Sequence, residues 1–393
     1  MKIGIVTHYH NSTNYGACLQ AFALCSVLQD MGHVPEQLCI DYSPYCHNLV
    51  DPSPLAPVKR LVGRPVTKGV KSLMKLVRPG QRRQSEEKQR CHEALLKAFH
   101  HFTRELTPHS EQIYTPRTIS HAANEYDAFI TGSDQVFNPL WYFEPFFLSF
   151  VPQGKPKLSY AASLAQTSLP KAVQNRYRKH FESFTALSLR EKSTVPMIQA
   201  LSPVPVQCVL DPTLLPDRKR WEEIAAPRAI KEDYVFCYFL GDTPDIRNTA
   251  AAYAKEQGLK LVTIPNAAGM LHVHDKDFGD VRLPDPSPED FLSLIRNARF
   301  VFTDSFHASV FSLIFQRQFV AVPRGGHKAM GTRLADLTDL FDVSDRFCDT
   351  TVSPAEIKAL APIRYDCPSP KFQSAREASL AFLRGSLSEQ QGN

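Results

Sequence analysis

Apolar and polar positions along the chain follow two alternating rhythms: short continuous apolar runs, then polar turns leading into apolar positions at helical spacing. The first run is Lys2 to Thr7, KIGIVT, followed by polar residues 8 to 15 and an apolar-rich helical pattern from about Gly16 to Met31, with Gly32 as its stop. A second run, Glu36 to Asp41, completes a strand–helix–strand unit, which implies a parallel sheet covered on both faces. Loop 8 to 15 then falls at the carboxyl edge of that sheet, where open α/β sheets bind ligands. The pattern continues with a helix from about Glu86 to Arg104 and strands at 128–131, 157–161, 186–189 and 206–210. A helix falls near 171–184. The second half repeats this alternation, with strands at 234–239 and 260–264 and helices at about 244–257, 289–297, 333–341 and 374–383.

The most informative stretch is Phe300 to Pro323, FVFTDSFHASVFSLIFQRQFVAVP: a buried strand, a polar turn, a short apolar helix and another buried strand. Asp304 or Ser305 is suited to cap the helix, which puts His307, the ionisable residue of the apolar run, in its first turn. Backbone N–H groups without intrahelical partners converge there and favour an anion. A histidine beside an anion is placed to move protons; a core histidine holding one hydrogen bond is the alternative. The expected architecture is α/β, two Rossmann-like open-sheet domains facing across a cleft. It is similar in layout to the GT-B transferases. Residues 1–211 form the N-terminal domain on the acceptor side, with a basic insertion at about 42–92. Residues 212–372 form the C-terminal domain carrying the His307 helix, and 373–393 a helix returning to the first domain, with a tail.

Length and composition fit this division. The 393 residues suffice for two domains, and 43% hydrophobic with 22% charged residues is a globular balance. No run approaches the length of a membrane span, and the N-terminal apolar run is too short for a signal peptide. A cytoplasmic protein is therefore expected. The nine cysteines form no C-x-x-C pair, which favours buried thiols over zinc or disulfides. The net charge of +5 is unevenly spread: eleven basic residues stand against Glu86 and Glu87 between Lys59 and Arg90, so the remainder is net acidic. This gives no argument for general nucleic-acid binding, and no nucleic-acid partner is expected. It leaves residues 59–83 as either a solvated basic face or a peripheral contact with anionic membrane at its inner face. His8 with His10, and His272 with His274, have H-x-H spacing but no third ligand fixed by sequence, and no metal site is expected.

Six motifs recur in order: NYGACLQAFAL at 14–24, ITGSDQVFN at 130–138, SYAAS at 159–163, SLREKS at 188–193, VLDPTLL at 209–215 and TDSFHASVFS at 303–312. Together they resemble the polysaccharide pyruvyl transferase family. The resemblance implies a GT-B-like fold and transfer of an enolpyruvyl unit from phosphoenolpyruvate to a sugar, often closing into a pyruvate ketal. It implies no cofactor beyond the donor substrate. Position by position, the family's histidine matches His307 and its mid-chain arginine matches Arg190. Many members carry an arginine two residues before the histidine, where this chain has Ser305.

A phosphoenolpyruvate site needs fixed cations and oriented N–H donors, and a guanidinium fork matches either anion of the donor. Arg190, Ser305, Lys328 and Arg333 are the expected donor-binding residues, with Arg324 also in the Gly-rich loop. His307 and Asp134 are the expected catalytic pair, since an imidazole with an ordinary pKa of about 6.5 transfers protons in both directions. Asn14, Tyr15 and Gln135 offer groups that hold saccharide hydroxyls, although Asn14 and Asp134 are also ordinary capping residues. Two alternatives keep the fold: a glycosyltransferase with a nucleotide-sugar donor, and a saccharide-binding protein without catalysis.

Overall fold

The computed structural model describes residues 1–50, 79–265, 272–325, 328–367 and 369–388. Most of the basic insertion, including residues 59–78, lies outside them. Elements are named in chain order. In the first half these are β1 (Lys2–Val6), α1 (Tyr15–Asp30), β2 (Val34–Ile40), α2 (Pro79–His101), β3 (His109–Tyr114), β4 (Ala128–Thr131), β5 (Lys157–Ser159), α3 (Lys171–Phe181), β6 (Leu187–Leu189) and β7 (Val206–Cys208). The second half has β8 (Tyr234–Tyr238), α4 (Pro244–Glu256), β9 (Lys260–Thr263), β10 (Val281–Arg282), α5 (Pro288–Asn297), β11 (Phe300–Thr303), α6 (Phe306–Ile314), β12 (Gln318–Ala321), α7 (Lys328–Leu340) and α8 (Pro370–Ser388). Shorter helical turns lie between them.

Each half is built on a parallel sheet. The first has the order β3-β2-β1-β4-β5, and single bridges from Leu158 to Ala186 and Ala162 to Leu189 carry it on to the β6-β7 pair. The second has the order β10-β9-β8-β11-β12. In both, the chain starts mid-sheet, winds one way and reverses, so two strand ends diverge at a switch point, the place where open α/β sheets bind ligands. The central strands β1, β4, β8 and β11 are almost wholly buried, as expected of parallel strands covered by helices on both faces.

The sequence pattern does not reveal β3 and β10. The β3 segment HSEQIY is an edge strand with three exposed positions in a row, so neither alternation nor an apolar run marks it. The helix expected from Glu86 starts at Pro79 and ends in a π-helical turn, Phe102–Leu106, before β3.

The halves share one core. Tyr15 at the start of α1 stacks on Phe291 of α5 with ring centroids 4.5 Å apart and planes 9° from parallel. Its hydroxyl donates to the Pro286 carbonyl at 2.8 Å. Trp221 stands between Phe22 of α1 and Phe311 of α6, at 5.8 and 4.8 Å. Helix α8 returns to the first half, burying Leu383 and Leu387 with Leu24 and Leu28 of α1. There Leu210 donates its N–H to Ser379 Oγ at 2.9 Å.

Candidate active site at the junction of the two halves

The carboxyl ends of strands from both sheets face one another, and the polar side chains of the resulting site come from just beyond those ends. Asp134 follows β4, Arg190 and Glu191 follow β6, and Asp211 lies beyond β7. From the other half, Asp304 follows β11, His307 lies in the first turn of α6, and Arg324 follows β12.

Asp211 is the meeting point. Its side chain is fully buried, Arg190 Nη1 donates to Oδ2 at 2.7 Å, and His307 Nε2 stands 3.7 Å from the same oxygen. Its other oxygen accepts from the Thr213 N–H at 3.0 Å and hydroxyl at 2.7 Å. Burial alone would push this carboxyl up, but His307 and Arg190 together hold it well below the usual carboxylate range. Asp211 therefore remains an anion that joins a guanidinium of one half to the imidazole of the other.

Arg190 reaches further. Nη2 lies 3.8 Å from Asp134, Nε lies 3.6 Å from Glu191, and the guanidinium sits 5.1 Å over the ring of Phe306. Burial opposes its charge, yet Asp211, Glu191 and Asp134 hold its pKa above the ordinary value. Glu191 accepts from Ser163 Oγ at 2.5 Å and stands 3.8 Å from Arg333 Nε. Burial, and then repulsion from Arg190, bring the Arg333 guanidinium down to about 10, which leaves it cationic at neutral pH.

Several buried nitrogens in this cluster face a carboxylate only beyond hydrogen-bond distance, at 3.6–3.8 Å: Nε and Nη2 of Arg190, Nε2 of His307 and Nε of Arg324. Unsatisfied buried donors cost about 1–3 kcal/mol each, and such atoms gathered in one place call for a ligand that accepts from them. Arg324 Nε also lies 3.7 Å from Asp304. Asp304 accepts from the Leu240 and Gly241 N–H groups, both at 2.7 Å, and so ties the β8 and β11 loops together.

The expected site residues divide. His307, Arg190, Asp134 and Arg333 are brought together. Ser305 is 4% exposed and its hydroxyl oxygen accepts from the Ala308 N–H at 3.4 Å, so it caps α6 and does not replace a cation. The side chain of Lys328 lies outside the described residues. Asn14 is exposed at the start of α1 and caps it through Ala17, and Gln135 is partly exposed and accepts from Asn138 Nδ2 at 2.8 Å. Tyr15 requires a correction. At 2% exposure, with its ring in the shared core and its hydroxyl spent on Pro286, it offers nothing to a saccharide.

Pattern reading passes over two members. Asp211 reads as an exit from the first domain, although its D-P-T context marks a buried capping carboxylate. His8 reads only as a metal candidate; the structure packs it edge-on to Tyr42 and Phe146, at 5.1 and 4.6 Å. Burial lowers its pKa, against the pull of Asp134, so a neutral imidazole stands near the carboxylate. Among the described residues no group of three or more His, Cys, Asp or Glu is arranged to hold a metal.

Two Rossmann-like parallel halves with their carboxyl edges opposed define a GT-B-like protein with a buried cluster of charged side chains at the junction. The structure of UDP-GlcNAc 2-epimerase from Methanocaldococcus jannaschii is similar over 99% of this chain and 100% of its own, with a TM-score of 0.51 and 8% identity. UDP-N-acetylglucosamine 2-epimerase from Rickettsia bellii covers 99% and 96% of the two chains at a TM-score of 0.48 and 11% identity. Spinosyn rhamnosyltransferase SpnG complexed with thymidine diphosphate covers 100% of both at 0.42 and 12%. No curated protein matches the chain. The chain belongs to the polysaccharide pyruvyl transferase family, whose model matches residues 14–326, most of its length. It is accordingly a transferase.

Proposed function

We propose that the chain moves the enolpyruvyl group of phosphoenolpyruvate onto hydroxyls of a cell-surface polysaccharide or its precursor and closes it to a pyruvate ketal. The observation that carries this reading is the junction itself: Asp211 shared by Arg190 and His307, beside buried guanidinium nitrogens whose carboxylate neighbours stand beyond hydrogen-bond distance. A donor with a carboxylate and a phosphate supplies acceptors for them, and Arg190, Arg324 and Arg333 are the cations that bind it.

The chemistry needs a proton delivered to the donor's methylene carbon and a proton removed from each of two attacking hydroxyls. One hydroxyl oxygen bonds to the central carbon as the methylene becomes a methyl group. The second displaces phosphate, which leaves with the remaining proton. His307 is the group that exchanges these protons, and its Nε2 stands 3.7 Å from the Asp211 carboxylate. Asp134, 3.8 Å from Arg190, is the second group able to take a hydroxyl proton. Asn14 and Gln135 remain acceptor contacts in this reading.

The test is a titration of the full chain with phosphoenolpyruvate and, separately, with a nucleotide-sugar, followed by phosphate release in the presence of saccharide acceptors. Binding of phosphoenolpyruvate that is lost in Arg190→Ala, with acceptor-dependent phosphate release, is expected. Binding of the nucleotide-sugar alone would overturn the reading.

A further inference from the structure

A second polar cavity opens on the carboxyl edge of the first sheet, on the β2 side of the loop that follows β1. Its volume is about 260 Å³, and its walls include Tyr9, His10, Ser12, Phe99, His100 and Arg104. None of these belongs to the cluster around Asp211. One wall is the loop after β1 and the other is the end of α2, where the helix widens into the π-helical turn Phe102–Leu106, closed by the Thr107 N–H on the Phe102 carbonyl at 3.1 Å. Such turns are uncommon and occur frequently at functional sites.

Arg104 rises from that turn. Its Nη1 contacts Cys39 Sγ and its Nη2 contacts His10 Nδ1, both at 3.3 Å. Among the described residues no carboxylate pairs with it, in contrast to Arg190, whose three carboxylate neighbours hold its charge in place. His10 is 8% exposed. Burial and then the Arg104 cation lower its pKa; Asp41 raises it, and His109 adds a further lowering. A neutral imidazole accepting at Nδ1 keeps its proton on Nε2 and so is a hydrogen-bond donor. The pocket thus combines a cation that pairs with no carboxylate among the described residues and a neutral donor. The Tyr9 hydroxyl donates to the Thr103 carbonyl, which fixes the ring against the turn.

The pocket also stands close to the reacting groups. Ser12 on its rim is four residues before Gly16, which touches the His307 ring. Four residues span at most about 14 Å. The rim of the pocket therefore lies within about 14 Å of the backbone that packs on the His307 ring.

We propose that this pocket is the acceptor subsite for an anionic saccharide, with the acceptor's carboxylate or phosphate on Arg104 and a hydrogen bond from His10. The proposal rests on the enolpyruvyl-transfer reading for the identity of the ligand as an acceptor. Its test does not use transfer: the full chain, without phosphoenolpyruvate, is titrated with glucuronate, glucose 1-phosphate and glucose. Binding of glucuronate or of glucose 1-phosphate, with glucose at least tenfold weaker, is expected, and which anion binds distinguishes a uronate acceptor from a phosphate-linked one. Arg104→Gln is expected to lose that binding at least tenfold and Arg104→Lys to restore part of it. The two variants share the site, so recovery by lysine separates loss of charge from loss of fold. Equal binding of glucose, no binding of either anionic sugar, or unchanged binding in Arg104→Gln would each overturn the proposal. Anionic-sugar binding without phosphoenolpyruvate turnover would instead remove the enolpyruvyl-transfer reading and leave the pocket's preference standing.

Discussion

A methyl group at position 16 would sit 2.0 Å from Nδ1 of His307 and 2.4 Å from Cε1, far inside contact distance, so the glycine after Asn14-Tyr15 makes room for the imidazole. Gly16→Ala removes no polar group and improves helix propensity by about 1 kcal/mol. It should nevertheless lose transfer activity because the ring must move away from Asp211. If that is the cause, adding His307→Ala to Gly16→Ala costs little more, and kinetics of the double variant check it. Gly132 is constrained in the same way: φ is +115° and a Cβ would meet the Tyr160 carbonyl at 2.2 Å. Asp211 gives a pH-dependent prediction. Its folded pKa lies below its unfolded value, so its pairing stabilises the fold above about pH 4 and is lost as the pH falls from there towards the depressed folded value. Asp211→Asn should therefore lower stability by about 3 kcal/mol at pH 7, and chemical denaturation should show the deficit narrowing below pH 4.

At the scale of elements, α1 connects three things. Its first turn accommodates His307, Gln20 accepts from the Ser133 N–H at 3.0 Å and donates to Thr7 Oγ1 at 3.2 Å, and its apolar face joins the two halves. Tyr15→Phe should cost about 1 kcal/mol, one hydrogen bond, whereas Tyr15→Ala should cost about 3–5 kcal/mol by opening a cavity against Phe291. Equilibrium unfolding in urea measures both. The elements with strong periodicity were legible in the sequence: β1, α1, β11 and α6 stand where their apolar runs place them. The edge strands β3 and β10 were not, because an edge strand with solvent on one side carries polar residues at positions a central strand would fill with valine or isoleucine. The π-helical turn leaves no local signature either, since it differs from an α-helix by one hydrogen-bond register.

At the scale of the whole molecule, the site exists only because two sheets oppose their carboxyl edges. His307 and Arg190 were visible as single residues, and the resemblance to the family paired them. What sequence could not supply was Asp211 between them, because a carboxylate 96 residues from one partner and 21 from the other is brought into register by the crossing of both halves. Tyr15 fails as an acceptor residue for the same reason: nothing local shows that the second half covers it. Position 305 carries no arginine, but Arg190 of the first half and Arg324 and Arg333 of the second bring positive charge to the same junction.

The central claim is that His307, held by Asp211 at this junction, moves the protons of enolpyruvyl transfer. The most direct measurement is phosphate release from phosphoenolpyruvate, in the presence of a saccharide acceptor, by the wild-type chain and by His307→Gln, with thermal melting confirming that both are folded. A fall of about 10²- to 10⁴-fold in the variant, with phosphoenolpyruvate still bound, is the predicted result. Release by His307→Gln at the wild-type rate would contradict the account.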